Sequence, residues 1–154
     1  MKPKTIFGIV LVAFAAASVG VLVAKGVLNR GEPTAPAPTP TSGDGIIVYY
    51  FYSNVRCPTC RRIEAYTGEA VRDGFAEAVR DGRLQWRPVN TDEPGNGHFK
   101  KDYDLFTKSV VVAQIRGGQP ARWKNLERIW DLVGDKDAFI AYVRGEVRPY
   151  VEGS

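Results

Sequence analysis

Two cysteines three residues apart, in Arg56-Cys57-Pro58-Thr59-Cys60-Arg61-Arg62, are the side chains of this 154-residue chain best placed to do chemistry, and they are its only cysteines. On a helix that spacing puts both on one face with their Cα atoms within disulfide range. Pro58 suits the first helical position, which places Cys57 at the helix start. There the unpaired backbone N–H groups and the positive end of the helix dipole favour a thiolate. Arg56, Arg61 and Arg62 add positive charge beside it. Cys57 is thus the expected nucleophile toward a partner disulfide, and Cys60 the residue that resolves the mixed disulfide. The competing reading is a static structural bridge, although such bridges more often close longer loops between distant segments.

Other sites that share this spacing fit less well. A zinc ribbon needs a second C-x-x-C, and haem attachment needs His where Arg61 follows Cys60. His98 is the only histidine, so Cys57, Cys60 and His98 form an alternative soft-metal set, against the simpler reading of a surface histidine at a helix start. Glu64, one turn beyond Cys60, is a candidate proton acceptor or a solvated helix-face acid. Asp73, Asp81, Asp92 and Glu93 are too scattered to argue as a catalytic pair. Tyr49, Tyr50, Phe51, Tyr52, Trp86, Trp123 and Trp130 read as core and sheet-face packing. Nothing in the chain could hold a flavin, and no cofactor is expected.

The motif needs a strand and a helix to position it. Ile46–Tyr52 is a continuous β-branched and aromatic run, the pattern of a strand buried on both faces. Pro58 to about Arg80 has helical periodicity, with Gly68 and Gly74 able to bend or split it. A second strand is expected over Leu84–Asn90, a short helix over His98–Phe106 and a third strand over Val110–Ile115. Gly117-Gly118 then turns the chain into a fourth strand around Ala121–Trp123. A helical turn over Leu126–Leu132 and an amphipathic helix from Lys136 to about Val147 close the pattern. The order β-α-β-α-β-β-α implies an α/β domain over residues 46–152 with a mixed central sheet.

The segment before this domain is different in kind. Ile6–Ala24 is nineteen residues without a charge, long enough as a helix to span ~28 Å of bilayer. It is read as a single transmembrane anchor behind a short cytoplasmic tail of residues 1–5. The rival is a cleavable signal peptide, but the apolar run continues past the small-residue sites around Ala13–Ala17. Residues 25–45 follow as a flexible linker in which Pro33, Pro36, Pro38 and Pro40 preclude regular structure; its fourteen residues from Gly31 to Asp44 could reach ~40 Å. An apolar share of 44% excludes wholesale disorder. The formal charge of +4 owes much to basic residues flanking the anchor: from Ile46 onward, 17 basic side chains face 15 acidic ones, a net of +2. With no basic stripe, a nucleic-acid partner is excluded.

Residues 46 to about 150 resemble the thioredoxin-like superfamily, with Cys57 and Cys60 in the nucleophilic and resolving places. More narrowly, the stretch from Tyr49 through Cys57-Pro58-Thr59-Cys60 and Glu64-Ala65-Tyr66 is similar to small thioredoxin-fold proteins labelled as a subunit family of nitrophenyl-compound nitroreductases. Val89-Asn90, Thr107–Val111 and Trp123–Leu126 carry the same likeness. That likeness implies an accessory redox subunit. Two departures stand out. Where the superfamily usually has a cis-proline, this chain has Lys108-Ser109, and Lys108 is a further positive charge expected beside Cys57. The strand before the motif also lacks the buried acid typical of thioredoxins. The expected activity is thiol–disulfide exchange with protein thiols or disulfides, on the extracytoplasmic (periplasmic or cell-surface) side of a membrane. A reductase there needs electrons from a membrane-embedded thiol carrier. The alternatives are a copper metallochaperone, whose membrane-tethered relatives space their cysteines one residue wider, or a non-catalytic interaction module.

Overall fold

The computed structural model of the chain describes residues 44–153. The expected tail, anchor and most of the linker, residues 1–43, lie outside them. Strand β1 (Gly45–Tyr52) is followed by helices α1 (Pro58–Gly74) and α2 (Ala76–Arg80), then strand β2 (Leu84–Asn90). A single turn, α3 (Phe99–Asp102), leads to the hairpin β3 (Ser109–Arg116) and β4 (Gln119–Asn125), and α4 (Ile129–Leu132) and α5 (Lys136–Glu152) complete the domain. The sheet order is β2-β1-β3-β4. β1 and β2 run parallel, while β3 is antiparallel to both β1 and β4. This is the mixed-sheet arrangement of a thioredoxin-like fold.

β1 is central, and its side chains alternate between two apolar layers. Ile46, Val48 and Tyr50 face α1 and α5, packing with Ile63, Val71, Phe139, Val143 and Val147. Ile47, Tyr49 and Phe51 face the other way, against Val89, Tyr103, Val111 and Trp123. Rings of Tyr49, Phe51, Phe99 and Tyr103 meet there at centroid distances of 5.0 to 6.1 Å, so one short turn and an aromatic cluster cover that face. The helical face is joined across α1 and α5 by Lys136–Glu69 at 2.9 Å and by Arg144 Nε donating to the Ala70 carbonyl at 3.3 Å.

Three boundaries differ from expectation. The long helix bends at Phe75, where φ −139° and ψ 39° leave the helical region, so Gly74 divides it and Gly68 does not. The expected helix over His98–Phe106 is one turn only, because Asp104 adopts φ 49° and stops it. The closing helix runs past Val147 to Glu152 despite Pro149, because Tyr150 is buried, with Arg122 stacked over its ring at 4.3 Å. Gly117 and Gly118, at φ 57° and 76°, form the hairpin turn that the sequence requires. Both outer strands carry a proline, Pro88 in β2 and Pro120 in β4, and basic side chains accompany them at Arg87, Arg122 and Lys124. Among the described residues no helix is long and apolar enough to cross a membrane.

Candidate functional site

Loop 53–57 carries the chain from the end of β1 to the start of α1, and the end of β2 holds it down. Asn54 N–H donates to Asp92 Oδ2 at 3.1 Å, and Asn90 Nδ2 donates to Asn54 Oδ1 at 2.8 Å. Thr91 donates twice to the Tyr52 carbonyl, from its N–H at 2.8 Å and its hydroxyl at 3.0 Å. The Asn54 N–H, and after it Lys100, hold the Asp92 carboxyl below the usual carboxylate range. Sequence reading passed over Asn54, Asn90 and Thr91; the polar cluster at the end of an otherwise apolar strand was the available signal.

At the end of this loop Cys57 is the N-cap of α1, and Pro58 takes the first helical position. Cys57 Sγ accepts a hydrogen bond from Cys60 N–H at 3.1 Å, so one of the helix's orphan donors is aimed at that sulfur. The two cysteines form a disulfide with Cα atoms 5.0 Å apart. Their surroundings are unequal. Cys57 is half-buried, whereas Cys60 is 0% exposed within the core. Tyr50 reaches up from β1, and its hydroxyl donates to the Cys60 carbonyl at 2.9 Å.

The expected positive residues play different parts. Arg56 lies over the Tyr52 ring, 4.2 Å from its centroid, and is ion-paired with Glu64. Its Nε is buried with no hydrogen-bond partner. Glu64 is therefore not the solvated acid of the simpler sequence reading; it is half-buried and tied back to the residue before Cys57. Arg61 and Arg62 are exposed on the first turn of α1, and Arg62 reaches Thr59 Oγ1 at 3.5 Å.

The turn before β3 contains only trans peptide bonds, in keeping with Lys108-Ser109 standing where a cis-proline is usual. Ser109 pairs with Phe51 across β1 and β3, which brings this turn to the end of β1 from which the cysteine loop departs. Ser109 Oγ donates to the Thr107 carbonyl at 3.0 Å. Trp130, expected in the core, is 37% exposed, and its indole N–H instead donates to the Lys108 carbonyl at 3.1 Å. Val55 and Phe106 are also exposed, at 72% and 98%. Nothing in periodicity singled them out.

His98 is exposed and sits 3.9 Å from Asp102 and edge-on to Phe99. Among the described residues no group of three His, Cys, Asp or Glu side chains could hold a metal, so Cys57, Cys60 and His98 are not brought together as the copper alternative requires.

No protein-family model matches the chain, and no curated protein sequence matches it significantly. Among solved structures, it is similar to the crystal structure of thioredoxin f2 from Chlamydomonas reinhardtii, at 12% identity and a TM-score of 0.35, with 61% of this chain and 81% of that chain covered. It is also similar to the solution structure of a thioredoxin from Thermus thermophilus, at 14% identity and a TM-score of 0.38, covering 68% of this chain and 75% of that one. The strand order and strand directions of the chain itself are what define its fold.

Proposed function

We propose that this chain is a thiol–disulfide oxidoreductase that exchanges the Cys57–Cys60 dithiol and disulfide with a protein partner. The observation that carries the reading is the inequality of the pair. The half-buried Cys57 caps a helix and its sulfur receives one of the helix N–H groups, while Cys60 is sealed in the core behind it. Helix-end donors stabilise a thiolate selectively on the outer cysteine, and of the two cysteines only Cys57 keeps exposed surface.

In the reducing direction, the Cys57 thiolate attacks one sulfur of a partner disulfide and displaces the other as a thiolate. Cys60 then loses its proton and attacks Cys57 Sγ, which re-forms the internal disulfide and releases the second partner sulfur. Two electrons pass to the partner, and its two thiolates take up two protons, one released by Cys60 and one from solvent. Glu64 is the acid closest in sequence to receive the Cys60 proton, with Arg56 holding its carboxylate in place. Arg61, Arg62 and Lys108 contribute positive potential at the same edge.

The finer reading places the domain outside the cytoplasm, held by an anchor at residues 6–24, and re-reduced by a membrane-embedded thiol carrier. It also makes the protein an accessory redox subunit, as the resemblance around the cysteine motif suggests. The uncharged length of Ile6–Ala24 and the proline-rich segment behind it support this placement.

The test is reduction of a generic protein disulfide such as insulin by the dithiothreitol-reduced, repurified protein. Turnover is expected in the wild type, none in Cys57→Ser, and a trapped mixed disulfide in Cys60→Ser. A reduction potential above about −300 mV should accompany activity, since structural disulfides lie below it. Full activity in Cys57→Ser would overturn the proposal.

A further inference from the structure

By its place in the sequence, Arg56 is one of the charges that would stabilise a Cys57 thiolate, but in the structure its guanidinium is already engaged. It lies 4.2 Å over the Tyr52 ring and is ion-paired with Glu64, one turn beyond Cys60 on α1. The two side chains are 27% and 29% exposed, so water and salt screen them only in part. Arg56 Nε is buried without a hydrogen-bond partner, the only such side-chain atom among the described residues. A buried donor left unpaired lowers stability. Its presence points to a use for this placement other than holding the fold together.

The two charges act on the cysteine turn with opposite signs. Tyr50 registers this, because its hydroxyl lies 2.9 Å from the Cys60 carbonyl. There Arg56 pulls the phenol down and Glu64 pushes it up, beside the larger effect of burial. The other groups around Cys57 are mostly positive. Arg61 and Arg62 occupy the first turn of α1, the helix N-terminus supplies its dipole, and Lys108 stands in the turn before β3. None of these three side chains has a carboxylate in ion-pair contact among the described residues. Beyond Asn54, Asp92 is matched by Lys100 at 3.1 Å. Tyr50 and Tyr52 are the titratable groups that β1 contributes. Such a setting overstabilises a thiolate. Nucleophilicity falls as a thiol becomes more acidic, and an attacking thiol works best with a pKa near the ambient pH. Glu64 is the negative charge set against these positive ones.

We propose that Arg56 and Glu64 form a captive, charge-balanced pair that sets how firmly the Cys57 thiolate is held, and with it the reduction potential of the dithiol. Arg56 favours the thiolate and Glu64 opposes it, so each conceals the other while both are present. Both act through Cys57 and are positioning residues for the exchange. The inference rests on the oxidoreductase reading, which gives the Cys57 thiolate its use.

The test is the pH dependence of Cys57 alkylation by iodoacetamide, in the dithiothreitol-reduced, repurified full chain in mild detergent. Mass spectrometry identifies the alkylated residue. Arg56→Met uncovers the Glu64 charge and should raise the midpoint by roughly 0.5–1 pH unit. Glu64→Gln should lower it by about as much. The double variant should return near the wild type, and so should Arg56→Lys, which keeps the charge without the stacked guanidinium. In glutathione buffers near pH 7, the dithiol form should be disfavoured roughly two- to tenfold in Arg56→Met and favoured by as much in Glu64→Gln. A role confined to stability would move the unfolding midpoint and leave the titration in place. Midpoints that shift in the same direction, midpoints that do not shift, or a double variant that stays displaced overturn the inference. Glu64→Gln is nearly isosteric, so it carries the test alone if Arg56→Met does not fold. In that case an unchanged or raised midpoint overturns the inference. Alkylation needs no partner protein, so this result is read apart from insulin reduction. Insulin reduction with unmoved midpoints overturns the role of the pair alone, and the expected shifts without insulin reduction overturn the oxidoreductase reading alone.

Discussion

Tyr50 couples the sheet to the cysteine turn through one hydroxyl, which donates to the carbonyl of the buried cysteine. Burial pushes this phenol up to about 12, with Glu64 and Tyr52 adding to the rise and Arg56 opposing it. Because the folded state holds Tyr50 neutral more tightly than the unfolded chain does, its contribution is complete below pH 10.0 and declines as pH rises from there to about 12. Tyr50→Phe should cost about 1 kcal/mol in denaturant unfolding at neutral pH, the usual net worth of one hydrogen bond. The variant should also lose less stability than the wild type over that alkaline window. A wild-type unfolding free energy that is flat across it would contradict the assignment. Tyr50 was legible in the sequence as a core residue; its hydrogen bond was not, because register and ring direction emerge only when α1 packs on β1.

The turn that ends α3 has a definite construction. Leu105 N–H donates to the Lys100 carbonyl at 2.8 Å, and Asp104 N–H donates to the Lys101 carbonyl at 3.5 Å, around Asp104 in the left-handed region. This is a Schellman cap built without its customary glycine. A non-glycine residue is strained there, so Asp104→Gly should raise stability by roughly 0.5–1 kcal/mol, read as a higher denaturation midpoint. A drop would show that the Asp104 side chain does more than occupy the turn. Elements of this kind mark where sequence reading ran short. The β-branched and aromatic runs of β1, β2 and β3 and the glycine pair of the hairpin announced themselves by local pattern. A cap on a non-glycine residue has no such signature, so His98–Phe106 reads as a longer helix, and α5 reads as ending at about Val147 although burial of Tyr150 carries it on to Glu152. The cysteine pair was legible because its spacing, its proline and its place after a strand are all local. The exposure of Phe106 and the Trp130–Lys108 contact depend on how distant segments meet.

For the whole chain, the proposed anchor makes a separate prediction. The full-length protein should sediment with membranes and require detergent for release. Phe14→Arg combined with Ala16→Arg should move it to the soluble fraction, since each charge near the middle of a span opposes insertion by about 2.5–3.5 kcal/mol. Recovery of the wild type in the soluble fraction would refute the anchor and leave the dithiol chemistry standing. The prolines and basic residues on β2 and β4 bear on the same setting. A proline has no amide hydrogen to offer a newcomer, and like charges repel when two identical rims approach. The two open edges of the sheet are therefore poor templates for pairing with another copy of the chain.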